Sequence, residues 1–299
     1  MTKIFVAGKN GQLALSLMAL AEEFGFDIQS FEPPELDLTN SDQAYKKVLS
    51  EKPDIIINAA AYTAVDAAEE NEDLAYAINT HGAEALAKAA ATLDVPFLHV
   101  STDYVYPGDK DSPYVESDQT GPSGVYGASK LAGDKAVLKT HNKAAVFRTA
   151  WVYSPYGKNF VKTMMWLAEN KDEVGIVADQ LGNPTYAHDI AWTLLTICDK
   201  IVGDGWQENY SGIFHLVGTG SASWHDFATN IFKILSDHGY KVPTQVKTLT
   251  TEDYPTPAKR PANSQLSTDK LKETFGLELP IWQDSLRDCL QILLKEEQQ

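Results

Sequence analysis

Tyr126 and Lys130 stand four residues apart in the run Gly124-Val125-Tyr126-Gly127-Ala128-Ser129-Lys130-Leu131-Ala132-Gly133-Asp134. On a helix that spacing puts a phenol and an ammonium on one face. A phenol titrates near ~10, and a neighbouring cation favours its ionised form, so Tyr126 reads as an acid able to protonate an alkoxide. With 13 tyrosines in 299 residues, about one Tyr-x-x-x-Lys is expected by chance. Alone, the pair reads more readily as a surface tyrosine lying on a lysine stem. Its meaning depends on what else the chain places beside it.

Lys3-Ile4-Phe5-Val6-Ala7 is a short apolar run that predicts a buried strand, followed by Gly8-Lys9-Asn10-Gly11-Gln12-Leu13-Ala14 and a helical pattern to Phe24. A strand, a glycine turn and a helix start offer backbone N–H groups to a pyrophosphate, which makes Gly8, Asn10, Gly11, Gln12 and Leu13 candidate dinucleotide contacts. Glu32 follows a second strand at Ile28–Phe31, roughly 20 residues past the glycines, where a carboxylate can accept the adenosine ribose hydroxyls. Its charge disfavours a 2′-phosphate while Lys9 could pair with one, so NADH and NADPH both stay open as the cofactor. Asp37 and Leu38, ahead of a helix at Ser41–Glu51, are candidates for the adenine end. A third strand at Pro53–Asn58 runs into Ala59, Ala60, Ala61, Tyr62 and Thr63, where small side chains let a cofactor approach the backbone. Plain helix–sheet packing explains those alanines equally well.

The elements that would position the chemistry alternate strand and helix. A long helix is predicted over Asp73–Leu93, with Asn79 and Gly82 inside it, then a strand at Pro96–Val100 that delivers Ser101-Thr102-Asp103-Tyr104 past its carboxyl end. In open parallel sheets ligands lie there. A loop from Pro107 to Gly124 leads to the Tyr126 helix, and a fifth strand, Ala144–Arg148, ends near Trp151. Beyond it the alternation loosens into a helix at Asn159–Glu169, a strand at Glu173–Ala178, a helix at Asp189–Ile201 and a short strand at Gly212–Leu216. Ser223 and Asp226 form a capping-box pattern opening a helix to His238. The Pro-dense stretch Pro255–Ser264 precedes two last helices at Thr268–Phe275 and Trp282–Lys295. This pattern predicts an α/β chain: a Rossmann-type doubly wound parallel sheet over residues 1–155 and roughly 187–216, with a smaller α/β substrate lobe from 156–186 and 217–299.

Composition narrows the function classes. The chain is 43% hydrophobic and 22% charged, ordinary globular values, and 25 basic against 41 acidic residues leave a net charge of -16. That charge repels nucleic acid and anionic lipid at long range. No apolar run approaches the ~20 residues of a membrane helix and no leader pattern precedes the first strand, so a cytoplasmic protein is expected. The only arginines are Arg148, Arg260 and Arg287, which makes each informative about how an anionic ligand is held. Cys198 and Cys289 sit in apolar helical patterns and read as buried thiols. The histidines show no ligand spacing, and no metal is expected.

Glycine loop, strand-end Thr102, and Tyr126 with Lys130, in that order, resemble the extended short-chain dehydrogenase/reductase family. Ser101-Thr102-Asp103-Tyr104-Val105-Tyr106, Phe147-Arg148-Thr149-Ala150-Trp151-Val152-Tyr153 and Arg260-Pro261-Ala262-Asn263-Ser264 are similar to its branch of dTDP-4-dehydro-sugar reductases. The resemblance implies Thr102, Tyr126 and Lys130 as the catalytic set and NAD(P)H as hydride source. The substrate it implies is a dTDP-sugar, dTDP-4-dehydro-L-rhamnose, reduced at C4. Lys130 is then expected to hold the nicotinamide ribose and lower the Tyr126 pKa. Asp103, Trp151 and Arg260 are expected at the substrate, with Arg260 on the diphosphate. Dehydratases of the family carry Asp-Glu after the threonine; Tyr104 here removes the second carboxylate and favours simple reduction. An epimerase, and a non-catalytic subunit of the kind that regulates methionine adenosyltransferase, resemble the same pattern. Ala14 replaces the usual third glycine, and Ser16 stands where some members have a metal-linked acid at a dimer contact, which leaves a homodimer open and weakens any metal bridge.

Overall fold

The computed structural model describes residues 1–296. Along the chain run β1 (Lys3–Ala7), α1 (Gln12–Phe24), β2 (Asp27–Phe31), α2 (Ser41–Glu51), β3 (Ile55–Asn58), α3 (Val65–Ala68), α4 (Glu72–Tyr76), a π-helical segment (Ala77–Gly82), α5 (Ala83–Leu93), β4 (Phe97–Thr102), α6 (Val125–Thr140) and β5 (Ala144–Thr149). They are followed by β6 (Val152–Tyr153), α7 (Phe160–Asn170), β7 (Glu173–Val177), β8 (Leu181–Gly182), β9 (Thr185–Tyr186), α8 (Ala187–Asp204), β10 (Gly212–His215), β11 (Ala222–Ser223), α9 (Trp224–Asp237), β12 (Gln245–Leu249), α10 (Asp269–Phe275) and α11 (Trp282–Glu296).

Six strands form one sheet in the order β10-β5-β4-β3-β1-β2, every neighbouring pair parallel. Parallel strands covered on both faces should be apolar throughout, and the side chains of Ile55, Ile56 and Ile57 are buried on both. On one face Leu13, Leu17, Leu194 and Ile197 of α1 and α8 meet Val6, Ile57 and Phe147. On the other Val48, Leu86, Ala90 and Val137 of α2, α5 and α6 meet Phe5, Ile56, Phe97 and Val146. From β1 the chain steps outward to β2 and returns on the other side of β1 as β3, so the strand order reverses between β1 and β3. A crevice opens at that reversal, at the carboxyl ends of the strands.

A separate core gathers Val161 and Met164 of α7, Phe227 and Ile231 of α9, and Leu286 and Leu290 of α11, beside the parallel pair β7–β12. Leu271, Phe275 and Leu279, which lie in the stretch 217–299, pack instead with the sheet and α8. The long helix predicted over Asp73–Leu93 is interrupted: a π segment at Ala77–Gly82 separates α4 from α5. Gly82 is there because a Cβ would meet the Cβ and the carbonyl oxygen of Leu38 at 2.7 Å. The capping box is present as expected, Ser223 accepting from the Asp226 backbone and Asp226 answering the Ser223 N–H. Among the described residues no helix is long and apolar enough to cross a membrane, and Cys198 and Cys289 are both buried.

Candidate active site

The glycine turn after β1 and the alanine run after β3 meet at the switch point. Gly8 has φ +102, and a Cβ on it would stand 3.4 Å from the Ala60 nitrogen. Glycine thus serves both the backbone conformation and the close approach. Asn10 donates its backbone N–H to Glu32 Oε2 at 3.2 Å and its side-chain amide to Oε1, so Glu32 does stand across from the turn. Gly11 opens α1, whose first-turn N–H groups face the crevice mouth without a side-chain cap. Gln12 Oε1 accepts from Ser154 at 2.8 Å and Asn159 at 3.0 Å, tying the turn to the chain beyond β6 and leaving its backbone N–H to a ligand. Leu13 points into the sheet core, leaving only its backbone to a ligand.

Ala59, Ala60, Ala61 and Tyr62 are half-buried and Thr63 is exposed, an open ledge beyond β3. The ledge is fixed from beneath. Asn79, in the π segment, accepts from Tyr62 N at 2.8 Å and donates to Tyr62 O at 3.2 Å and to Ser129 Oγ at 3.0 Å. Asp37 is occupied within its own turn, accepting from Thr39 N and Oγ1 at 2.9 and 2.7 Å, and Leu38 is buried.

Beyond β4 the expected catalytic groups converge. Thr102 Oγ1 donates to Asp103 Oδ1 at 2.9 Å and accepts from Tyr104 N at 3.2 Å. Tyr126, in the first turn of α6, faces the Thr102 hydroxyl. Its ring sits edge-on to that of Tyr104, centroids 5.5 Å apart. The Lys130 ammonium, one turn on and 1% exposed, donates to Val100 O at 2.7 Å. Glu69 accepts from Val125 N at 2.9 Å and so anchors the start of α6. At its middle Asp134 holds the buried Arg148 Nε at 3.1 Å.

Burial governs the electrostatics of these groups. Burial drives the Tyr126 pKa upward, and the carboxylates of Asp103 and Asp134 add to the rise. Tyr126 is therefore protonated at working pH, the state an acid requires. Burial also pushes Lys130 down to about 8 and Asp103 up to about 6.

Arg260 lies at the rim, its Nη1 donating to the Tyr104 hydroxyl at 3.2 Å and its Nη2 to Asp66 Oδ2 at 2.6 Å. Asp66 also takes the Ala258 N–H at 3.1 Å, so the Pro-dense strap is pinned over the ledge. Trp151 has φ +48, a conformation that costs a non-glycine residue roughly 1–3 kcal/mol and that concentrates at functional sites. Its indole stacks on Trp224, centroids 3.6 Å apart and planes 9° off parallel. Asp66, Glu69 and Trp224 escaped the sequence reading: Asp66 and Arg260 stand 194 residues apart, and no local pattern marks such a pairing. Among the described residues no cluster of His, Cys, Asp and Glu could hold a metal ion.

Comparison with known proteins bears on the same site. The family model "RmlD substrate binding domain" matches residues 1–295. The dTDP-4-dehydrorhamnose reductase of Sinorhizobium fredii is 46% identical over 295 residues, 98% of each chain. A crystal structure of such a reductase from Clostridium acetobutylicum superimposes with a TM-score of 0.89 at 38% identity, covering 98% of this chain and all of that one. The Bacillus anthracis reductase, solved with NADP, gives 0.88 at 37%, with the same coverage. Since the likeness runs through both cores and the strap and not through the sheet alone, the chain belongs to the dTDP-4-dehydrorhamnose reductase family.

Proposed function

We propose that the protein reduces the C4 ketone of dTDP-4-dehydro-L-rhamnose to the alcohol, giving dTDP-L-rhamnose, with NADH or NADPH. The observation that carries this reading is the meeting of Thr102, Tyr126 and Lys130 at the carboxyl end of β4, beside the glycine crevice. The crevice fits a dinucleotide. Gly8 leaves a cradle that a Cβ would fill, the start of α1 offers N–H groups to a pyrophosphate, and Glu32, across from the turn, would accept the ribose hydroxyls. Lys130 has three ammonium hydrogens and uses one on Val100 O, leaving donors for ribose hydroxyls.

When bound, the reduced nicotinamide supplies a hydride to the carbonyl carbon. Tyr126 gives its proton to the oxygen, and a phenol raised by burial holds that proton until negative charge develops beside it. Thr102 would meet the same oxygen, with Asp103 hydrogen-bonded behind it. Arg260, beside Tyr104, is placed to meet the diphosphate, and the Trp151–Trp224 pair to line the sugar and nucleoside side. Tyr104 stands where a dehydratase needs a carboxylate, and its hydroxyl is engaged by Arg260. We assign residues 1–155 and 187–216 to cofactor and 156–186 and 217–299 to substrate, in a cytoplasmic protein able to form a homodimer.

Purified protein given dTDP-4-dehydro-L-rhamnose and NADH or NADPH should consume the reduced cofactor stoichiometrically with sugar. No consumption with either cofactor would remove the reading. A cofactor that stays bound and unchanged through turnover would point to epimerisation, and stable capture of an adenosyltransferase without turnover would point to a regulatory subunit.

A further inference from the structure

Thr102 has one hydroxyl hydrogen and two lone pairs to distribute. The hydrogen is committed to Asp103 Oδ1, at 2.9 Å. One lone pair takes the Tyr104 N–H, because Thr102 caps the short turn Asp103–Val105. A lone pair is therefore what Thr102 presents toward Tyr126 and toward any oxygen that Tyr126 protonates. Asp103 is itself only 3% exposed, and its Oδ2 makes no hydrogen bond. The Thr102 and Ser264 hydroxyls and the neighbouring backbone N–H groups favour its ionised form, and burial, which disfavours it, outweighs them.

We infer that Asp103 is a positioning residue whose protonation state decides where the Thr102 hydrogen points: toward Asp103 when the carboxylate is ionised, toward the reacting oxygen when it is protonated. The inference rests on the reduction proposed above. In the protonated state Asp103 donates to Thr102 Oγ1, the Tyr104 N–H keeps the other lone pair, and the hydroxyl hydrogen is released to the substrate oxygen. That oxygen then has two donors, Tyr126 and Thr102, where the ionised state offers it one donor and one lone pair. The hydride still comes from the cofactor and the transferred proton from Tyr126. Asp103 changes only how the developing negative charge is shared.

The groups facing the carboxylate are few. Thr102 and Tyr104 belong to its own segment, Tyr126 faces it from α6, and the Ser264 hydroxyl faces it from the strap. The nearby cation, Arg260, acts on Tyr104 and Asp66. With no cation on it, burial dominates and places its titration at about 6, where a change in charge alters the rate within the working range.

The test is the pH dependence of single-turnover reduction of saturating dTDP-4-dehydro-L-rhamnose by NADH, between about pH 5 and 8. Removing one preorganised donor typically costs about 10²- to 10³-fold in rate. A fall of at least about tenfold as pH rises through the Asp103 titration is therefore expected of the wild type. Asp103→Asn, which has no titratable group there, should abolish that fall. Thr102→Val should be slow and flat, because Asp103 then has no hydroxyl to steer, and Thr102→Ser should restore the slope. A wild-type slope that survives in Asp103→Asn or in Thr102→Val overturns the inference, as does a wild-type rate that does not change across the range. Should Asp103→Asn fold poorly, the Thr102 pair decides alone. Failure of the reduction itself would show differently, as no cofactor consumption at any pH.

Discussion

Tyr126 is asked to be an acid, and what equips it is its surroundings. Ala68, Ala75 and the rings of Tyr62 and Tyr104 close around it, and burial lifts its pKa. Removing the hydroxyl while keeping the ring should spare that packing. Tyr126→Phe is expected to lower kcat by about 10²- to 10⁴-fold, the usual contribution of a general acid, with an unchanged thermal midpoint; a kcat within a factor of about 3 of wild type would move the proton donor elsewhere. Lys130 makes a separate prediction. Its ammonium is charged below about 8 and neutral above, and only the charged form offers all three hydrogens to ribose hydroxyls. kcat/KM for NADH should therefore fall as pH rises through about 8, with kcat at saturating NADH falling less. The identities of these groups were legible in the chain because a four-residue spacing and a strand-end threonine are local patterns. The electrostatics of Tyr126 were not, since Ala68 and Ala75, which pack against it, lie far from it in sequence.

At the scale of elements, the parallel strands could be read directly: a strand buried on both faces has to be apolar along its whole length, as Ile55–Ile57 are. β12, Gln245-Val246-Lys247-Thr248-Leu249, has no such run and is partly exposed, and it exists because β7 lies beside it in register. The π segment was hidden for a related reason. Asn79 and Gly82 mark it in the sequence, but their partners Tyr62, Ser129 and Leu38 are distant. β8 offers the clearest test of how elements hold the site. Gly182 leaves room for the Trp151 indole, and a Cβ there would meet it at 2.4 Å. The indole is pinned between that strand and Trp224, so it has little room to yield. Gly182→Ala should cost about 1–3 kcal/mol of stability by overpacking and should raise KM for the nucleotide sugar while leaving the affinity for NADH unchanged. Equal losses for both ligands would mean that the Trp151–Trp224 stack serves the fold generally and does not shape the sugar side.

The whole molecule sets a conflict that the site must resolve. A chain with a net charge of -16 repels a nucleotide sugar and a dinucleotide that both carry phosphates, and at low salt that repulsion reaches far: the Debye length is about 30 Å at 10 mM and about 8 Å at 150 mM ionic strength. Against it stands Arg260, held at the rim by Asp66 and Tyr104, whose attraction acts at contact distance and is screened much less. Raising ionic strength should therefore remove more repulsion than attraction. kcat/KM for the sugar is expected to rise between about 10 and 150 mM salt, opposite to the behaviour of a site steered by a broad basic field. Arg260→Gln should lower kcat/KM at every salt concentration by about 10-fold or more, as loss of a charged hydrogen bond worth about 1.5–3 kcal/mol implies, and should leave the upward trend in place. A wild-type kcat/KM that falls with salt would show that local cations, and not the overall charge, govern the encounter. A rise lost in Arg260→Gln would show that salt acts by loosening the Asp66–Arg260 pair, freeing the guanidinium for the diphosphate.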